Sequence, residues 1–276
     1  MNKIPHIKIL VLNWNGEDII EKCLMSLTRL DYKNFSIDVI DNNSTDNSIQ
    51  IIKRKFPNVN LHINKKNLGY ASGYNAIFRK LKNENFSYYF ILNNDTVVDR
   101  SILGCLTKNL NDFGKDNIYG PKINYLNDKS KIWYAGGYFN KFLGFTKHIG
   151  INKHEKRIKY KTTQTKYISG CSMLISKNLI NELDGFNSSF KMYYEDVDLC
   201  YRAALMNKKC FFIEDALVYH EVSYSIGKNS LKKFMTKIIS QSKFVYYHNN
   251  IIYFIISLFI NIIFLPLYLV NNFMKK

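Results

Sequence analysis

Three short clusters carry residue types able to do chemistry. The first is Leu92-Asn93-Asn94-Asp95-Thr96, directly behind the apolar run Tyr88-Tyr89-Phe90-Ile91. An apolar run of strand length that stops on two amides and a carboxylate reads as a buried strand delivering polar groups to a sheet edge. Open α/β sheets bind their ligands there. One carboxylate beside neutral oxygen donors suits a hard divalent cation, Mg2+ or Mn2+, that keeps several waters and takes its other ligands from substrate phosphates. Plain turn formation after a strand accounts for the same residues. The second cluster is Glu195-Asp196-Val197-Asp198, behind the aromatic-rich 186–194. Acids at a helix start are favoured by the dipole, and that suffices for Asp198. For Glu195 and Asp196 the aromatic neighbours point to an apolar cleft that raises a carboxylate pKa toward what a general base needs. The third is His220, either a structural histidine or, at the end of a strand, one that reaches metal or diphosphate.

The elements that must position these residues follow from periodicity. Residues 7–12 are an apolar, β-branched run ending at Asn13-Trp14-Asn15-Gly16, which predicts a central strand with a polar turn behind it. A helix over 17–30 follows, with acids first and Arg29 last, as the macrodipole prefers. Strands at 36–40 and 59–63 flank the turn-rich Asp41-Asn42-Asn43-Ser44-Thr45-Asp46 and a short helix to Phe56. Strand and helix alternate, which predicts a mostly parallel sheet with right-handed crossovers. Residues 67–75 open a further helix whose aromatic stripe is most simply core. Gly69, Ala71 and Gly73 either let backbone N–H groups approach a phosphate or let the helix lie close on the sheet. A helix at 101–113 and strands at 117–123, 167–175 and 210–213 complete the pattern, while 124–166 dissolves into Gly, Lys and aromatics. Long irregular loops on rigid scaffolds carry recognition, so this insertion is the candidate acceptor-binding region, with a plain hairpin as the alternative.

The 39 Lys and Arg against 22 Asp and Glu, a formal charge of +17, imply a wide positive field suited to nucleic acid, an anionic membrane or a small polyanion. The lysines are dispersed, so part of the excess is compositional bias. The five cysteines form no C-x-x-C pair, which indicates neither a disulfide framework nor a zinc site and suits a reducing compartment. No secretory signal pattern opens the chain. No G-x-G-x-x-G follows the first strand, against a nicotinamide enzyme, and Asn13-Trp14-Asn15-Gly16 is a poor phosphate loop for a nucleotidyltransferase.

Leu231, Phe234, Met235, Ile238, Ile239, Val245 and Tyr246 fall on one helical face, with Lys232, Lys233, Lys237 and Lys243 mostly off it. That pattern fits a helix lying in an anionic membrane surface, or an amphipathic helix packed on the domain. Residues 251–270 carry no charge over roughly the 20 residues a bilayer span needs. Asn261 and Pro266 interrupt them and Lys275 and Lys276 close them, so a re-entrant or surface-lying hairpin is an alternative.

The order of these motifs resembles the family-2 glycosyltransferases, in particular the rhamnosyltransferase-like branch that builds bacterial surface polysaccharide. The resemblance runs over about residues 5–225 and rests on residues 11–16, 41–48, 67–75, 92–96 and 169–199. It implies an α/β GT-A fold with a mostly parallel central sheet, and membrane-associated C-terminal helices are expected beside it. Residues 1–225 would form the catalytic domain, with 1–100 binding nucleotide-sugar and 101–225 the acceptor, and 226–276 the tail. The implied reaction is inverting transfer of a sugar from a UDP-, dTDP- or GDP-linked donor to a glycan or lipid-linked acceptor. The expected setting is the cytoplasmic face of the bacterial inner membrane, with no nucleic-acid partner. Asp41 then looks like the reader of the nucleobase, Asp95 like the metal ligand that ends a D-x-D, with His220 near metal and diphosphate, and Asp196 like the general base supported by Glu195. Asn13, Asn15, Asn43, Gly69, Gly73, Asn75, Asn93 and Asn94 complete the implied donor site. Two departures stand out: Asn93 replaces the first Asp of D-x-D, and Phe186-Asn187-Ser188 lacks the two acids of the family's Phe-Asp-Glu. A non-catalytic binding relative is the competing reading.

Overall fold

The computed structural model describes residues 4–157, 159–222 and 230–273, with backbone only for 230 and from 264 onward. Strand and helix alternate as β1 (Ile7–Asn13), α1 (Ile20–Leu27), β2 (Phe35–Asp41), α2 (Ser48–Lys55), β3 (Asn60–Ile63), α3 (Gly69–Leu81) and β4 (Tyr88–Asn93). Then come β5 (Thr96–Val98), α4 (Ile102–Lys108), α5 (Leu110–Phe113), β6 (Ile118–Tyr125), β7 (Ile132–Tyr134), β8 (Gly137–Phe139), β9 (Thr146–His148) and β10 (Thr163–Thr165). The chain continues through β11 (Ser172–Ser176), α6 (Lys177–Glu182), α7 (Glu195–Leu205), β12 (Cys210–His220), α8 (Ser230–His248) and α9 (Ile251–Phe273).

The main sheet runs β10-β12-β6-β11-β4-β1-β2-β3. β1 pairs in parallel with both β2 and β4, and β2 with β3. β11 alone among the central strands is antiparallel to its neighbours β4 and β6. Residues 88–92 and 7–11 are buried on both faces, which is why they read as continuous apolar runs instead of alternating ones. Strand order reverses at β1, so its C-terminal end and that of β4 open a crevice at a topological switch point.

Several elements differ from the sequence reading for identifiable reasons. The helix expected from Glu17 begins at Ile20, because Glu17 is held outside it: its N–H donates to Asp46 and its carboxylate accepts from the Asn47 N–H at 2.9 Å. The 101–113 helix breaks at Asn109, whose side chain folds back onto the Cys105 carbonyl. The strand expected from Tyr167 starts at Ser172, since Gly170 turns its N–H to Asp196 and its carbonyl to the Tyr70 hydroxyl. The insertion is not structureless. It forms β7 on the main sheet and the β8–β9 hairpin.

α8 packs on the domain. Phe244 and Val245 are buried, the Ser240 hydroxyl donates to the Met192 carbonyl at 2.7 Å, and His248 Nε2 lies 2.7 Å from Asp198. Asp198 is fully buried and also accepts from Arg202, so this third carboxylate ties α7 to α8. Among the described residues no helix is long and apolar enough to cross a membrane. The span expected at 251–270 falls partly outside the residues whose side chains are described, and Lys275 and Lys276 lie outside the described residues.

One buried amide joins the strand ends of the crevice. Asn13 donates to Asp41 at 2.8 Å and to Ser48 at 3.0 Å, and its carbonyl accepts from the Asn94 amide at 2.8 Å. A Cβ on Gly16 would fall 2.4 Å from that Asn13 oxygen and 2.5 Å from the Asn94 nitrogen. Gly16→Ala is expected to part the bridge and lower stability by about 1–3 kcal/mol. A urea-unfolding midpoint equal to that of the parent would contradict this account.

Candidate functional site

A cavity of about 430 Å³ opens at the switch point, within the roughly 300–1,000 Å³ of small-molecule sites. Its walls bring together residues far apart in sequence: Asn93, Asn94 and Asp95 from the end of β4, Glu195 and Asp196 from α7, and His220 from β12.

Asp95 meets His220 because β5 pairs antiparallel with the end of β12, setting Thr96 opposite His220. The Glu221 N–H donates to the Asp95 carbonyl at 2.8 Å and locks the register. Asp95 Oδ1 lies 3.1 Å from His220 Nε2, yet has no aligned hydrogen bond among the described residues. Two buried donors converging without such alignment fit a shared cation. Burial opposes charge on the His220 ring, but Cys171 and Asp95 outweigh it and hold the imidazole well above its ordinary range. A divalent cation must compete with that proton. No group of three or more His, Cys, Asp or Glu side chains able to hold a metal occurs among the described residues. The pair therefore suits an ion completed by water and substrate phosphates.

The opposite pole is the start of α7. Tyr193 and Tyr194 both adopt left-handed backbone, φ 65° and 70°, a strained pair that turns the chain sharply into the helix. The Tyr194 hydroxyl anchors the turn by donating to the Gly144 carbonyl at 2.7 Å. Asp196 accepts from the Gly170 N–H at 2.9 Å and the Val197 N–H at 2.8 Å, one on each oxygen. Burial raises its pKa, and these N–H groups and Lys237 only partly offset that. Glu195 is buried with one oxygen unpartnered among the described residues; burial and the Asp196 charge push it well above the ordinary range. Burial thus favours the protonated form of Glu195 more than that of Asp196, whose two backbone N–H donors favour its ionised form.

The insertion supplies a third wall. Trp133 stands edge-on between His220 and His148, ring centroids 4.7 and 4.5 Å away. Burial, with help from Lys237, depresses His148 to about 4. His148 is thus an uncharged ring at neutral pH. His148 and Lys237 were not singled out as site residues in the sequence. For His148 no short motif signals it, and for Lys237 the sequence shows only a lysine off the apolar face of α8.

The expected donor residues divide. Gly69, Asn93 and Asn94 line the cavity with Asp95, Glu195, Asp196 and His220; Asn13, Asn15, Asp41, Asn43, Gly73 and Asn75 do not. Asp41, expected to face a nucleobase, is fully buried and accepts from the Ser44 N–H and hydroxyl as well as from Asn13. Asn15 and Asn43 occupy left-handed turn positions, with the Asn15 carbonyl oxygen accepting from the Thr45 N–H. Asn75 ties α3 to the Phe186 backbone in both directions. Gly73 is a close-approach residue: a Cβ there would meet Leu12 at 2.8 Å. Asn42, by contrast, is a cavity residue the motif reading passed over.

An Asp–His pair and a carboxylate with a raised pKa line one cavity at the switch point of an α/β sheet, an arrangement suited to group transfer. The chain belongs to glycosyl transferase family 2, whose pattern matches residues 8–184. It is 21% identical over 240 residues to an N-acetylglucosaminyl-diphospho-decaprenol L-rhamnosyltransferase of Mycobacterium tuberculosis, covering 81% of this chain and 78% of that one. It is 23% identical to the poly-beta-1,6-N-acetyl-D-glucosamine synthase of Staphylococcus epidermidis, covering 82% of this chain and 52% of the other. Among solved structures it is similar to GalNAc-T7 with UDP, GalNAc and Mn2+, with TM-score 0.69, 15% identity, and 89% of this chain and 48% of that one covered. A mannosyltransferase of Pyrobaculum calidifontis with GDP-Man and Mn2+ gives TM-score 0.64 at 15% identity, over 88% and 64%. The chain spans about half the length of the first of these structures. These likenesses show the GT-A fold.

A base must be ionised to act, and the Asp196 pKa is raised, so activity is lost as pH falls through that raised value. The acid limb of a kcat/KM profile is expected above the ordinary carboxylate range of about 3.9–4.3. A limb at or below that range would show that burial does not tune this group.

Proposed function

We propose that this chain transfers a sugar, with inversion, from a nucleotide-diphosphate donor to a hydroxyl of a glycan or lipid-linked glycan in bacterial surface polysaccharide synthesis. The observation that carries the reading is that the Asp95–His220 pair and Asp196 line one cavity. Asn93 and Asn94 from the end of β4 and Gly69 from the start of α3 line the cavity and would face the donor, while the insertion with Trp133 would border the acceptor. Asp196 takes the proton of the attacking hydroxyl as its oxygen bonds to the anomeric carbon, and the bond from that carbon to the diphosphate breaks. The transition state has oxocarbenium character, as in glycoside hydrolysis. Neutral Glu195 orients the acceptor by donating a hydrogen bond. Asp95 and His220 would hold Mg2+ or Mn2+, which would supply Lewis-acid neutralisation of the charge gathering on the leaving diphosphate. The names of the relatives, an L-rhamnosyltransferase and a polysaccharide synthase, support rhamnose as a candidate sugar and surface polymer as the product.

The setting we propose is the cytoplasmic face of the membrane. Leu231, Met235 and Ile239 on α8, Ile252, Phe259 and Ile263 on α9, and Phe142 and Phe145 on the β8–β9 hairpin are all exposed. Phe142 packs against Tyr253 of α9, ring centroids 4.8 Å apart, so hairpin and helix share one apolar surface. With the +17 charge this surface suits anionic lipid.

Asp196→Asn is expected to lower kcat by about 10²–10⁴ with nucleotide affinity unchanged, whereas Asp95→Ala loses the Mn2+-dependent part of that affinity. Calorimetry with Mn2+ and with chelator, beside a turnover assay over UDP-, dTDP- and GDP-sugars, reads both; full turnover by Asp196→Asn removes it from the role. Ile252→Glu with Phe259→Glu is expected to abolish co-sedimentation with anionic vesicles while leaving turnover of a soluble acceptor intact. Equal sedimentation would assign the apolar surface another partner.

A further inference from the structure

α8 presents a stripe to the protein in which Lys233 and Lys237 are followed by Ser240, Gln241, Phe244 and His248. At its C-terminal end the stripe does what a packing helix does: Phe244 is buried, and Gln241 donates to the Leu143 carbonyl at 2.8 Å. One to two turns earlier the same stripe passes over the cavity, and there it becomes lysine. Lys233 and Lys237 both line the cavity. They stand one turn apart on one helix face, so both ammonium groups can reach a single anion.

The carboxylates of the site have partners besides these lysines, although the field of Lys237 also reaches Asp196. Asp95 has His220, Asp196 has two backbone N–H donors, and burial favours the protonated form of Glu195. Among the described residues neither lysine forms an ion pair. The field of Lys237 acts on Asp196 and His148, which places it on the base side of the cavity. Outward, the same helix turns carry exposed Leu231, Met235 and Ile239. The rim is therefore cationic toward the base and apolar toward solvent.

We propose that Lys233 and Lys237 form a subsite for a phosphate group of the acceptor, whose lipid chain leaves across the apolar outer face of α8. This rests on the transferase reading and narrows its acceptor to a lipid-linked sugar phosphate. Anchoring the phosphate one sugar away from the attacking hydroxyl fixes that hydroxyl against Asp196, and an uncharged glycan gains nothing from two lysines lining the cavity. Lys233 is half-buried and Lys237 exposed at the cavity rim, so an anion can reach both ammonium groups from solvent, and a charge-assisted hydrogen bond is stronger than a neutral one.

The test measures binding of farnesyl diphosphate, inorganic pyrophosphate and farnesol to the full chain in chelator, so that metal-mediated binding at the Asp95–His220 pair is removed. Farnesyl diphosphate is expected to bind best, and Lys233→Met with Lys237→Met to weaken it at least tenfold. Farnesol binding and Mn2+-dependent nucleotide affinity should stay unchanged, and arginine at both positions should restore the diphosphate. Undiminished farnesyl diphosphate binding by the double Met variant overturns the proposal. An equal fall in nucleotide affinity overturns it by assigning the lysines to the donor, and pyrophosphate binding as tightly as the lipid overturns the lipid-linked part. Absence of sugar turnover with this binding pattern intact would count against the transferase reading alone.

Discussion

The Asn13 carboxamide, fully buried at the end of β1, holds the ends of β2 and β4 on either side of it. A buried amide is costly unless its groups are matched. Here both ends of the amide have partners: Asp41 ends β2, Ser48 opens α2 and Asn94 follows β4. The bridge fixes how far apart Asp41 and Asn94 stand, and therefore where Asp95 emerges. Gly16 is compatible with it only because it has no side chain.

From that fixed edge the cavity is built as two poles of different electrostatics. At the Asp95–His220 pole, charged groups converge with hydrogen-bonding capacity left over, which suits a cation and a diphosphate. At the α7 pole, burial is the dominant influence on both carboxylates, and the backbone donors to Asp196 separate its behaviour from that of Glu195. The strained Tyr193-Tyr194 turn allows this pole to face the first, since a relaxed entry would carry the helix start elsewhere.

α8 shows how one helix serves two environments. Its C-terminal half is fastened through His248 to Asp198, a carboxylate already committed to Arg202, while its N-terminal half overhangs the cavity. Because the packed half is fixed, the overhanging half holds Lys233 and Lys237 at the cavity rim and leaves Leu231, Met235 and Ile239 exposed.

The sequence by itself determined the parallel α/β frame, the strand that ends at Asp95 and the acidic start of α7, because periodicity of 2 or 3.6 and abrupt changes from apolar to polar are local properties. Local pattern also separated Asp198 from its neighbours. Only the tertiary structure decided that His220 stands beside Asp95, since this depends on β5 pairing with the far end of β12. It likewise turned Asp41, Asn75 and Gly73 into bracing and packing residues, and brought Trp133, His148 and Lys237 to the cavity. An asparagine that binds a ligand and one that braces a loop carry the same letters. What distinguishes them is which distant backbone arrives to meet the amide, and that is set by the packing of the whole sheet.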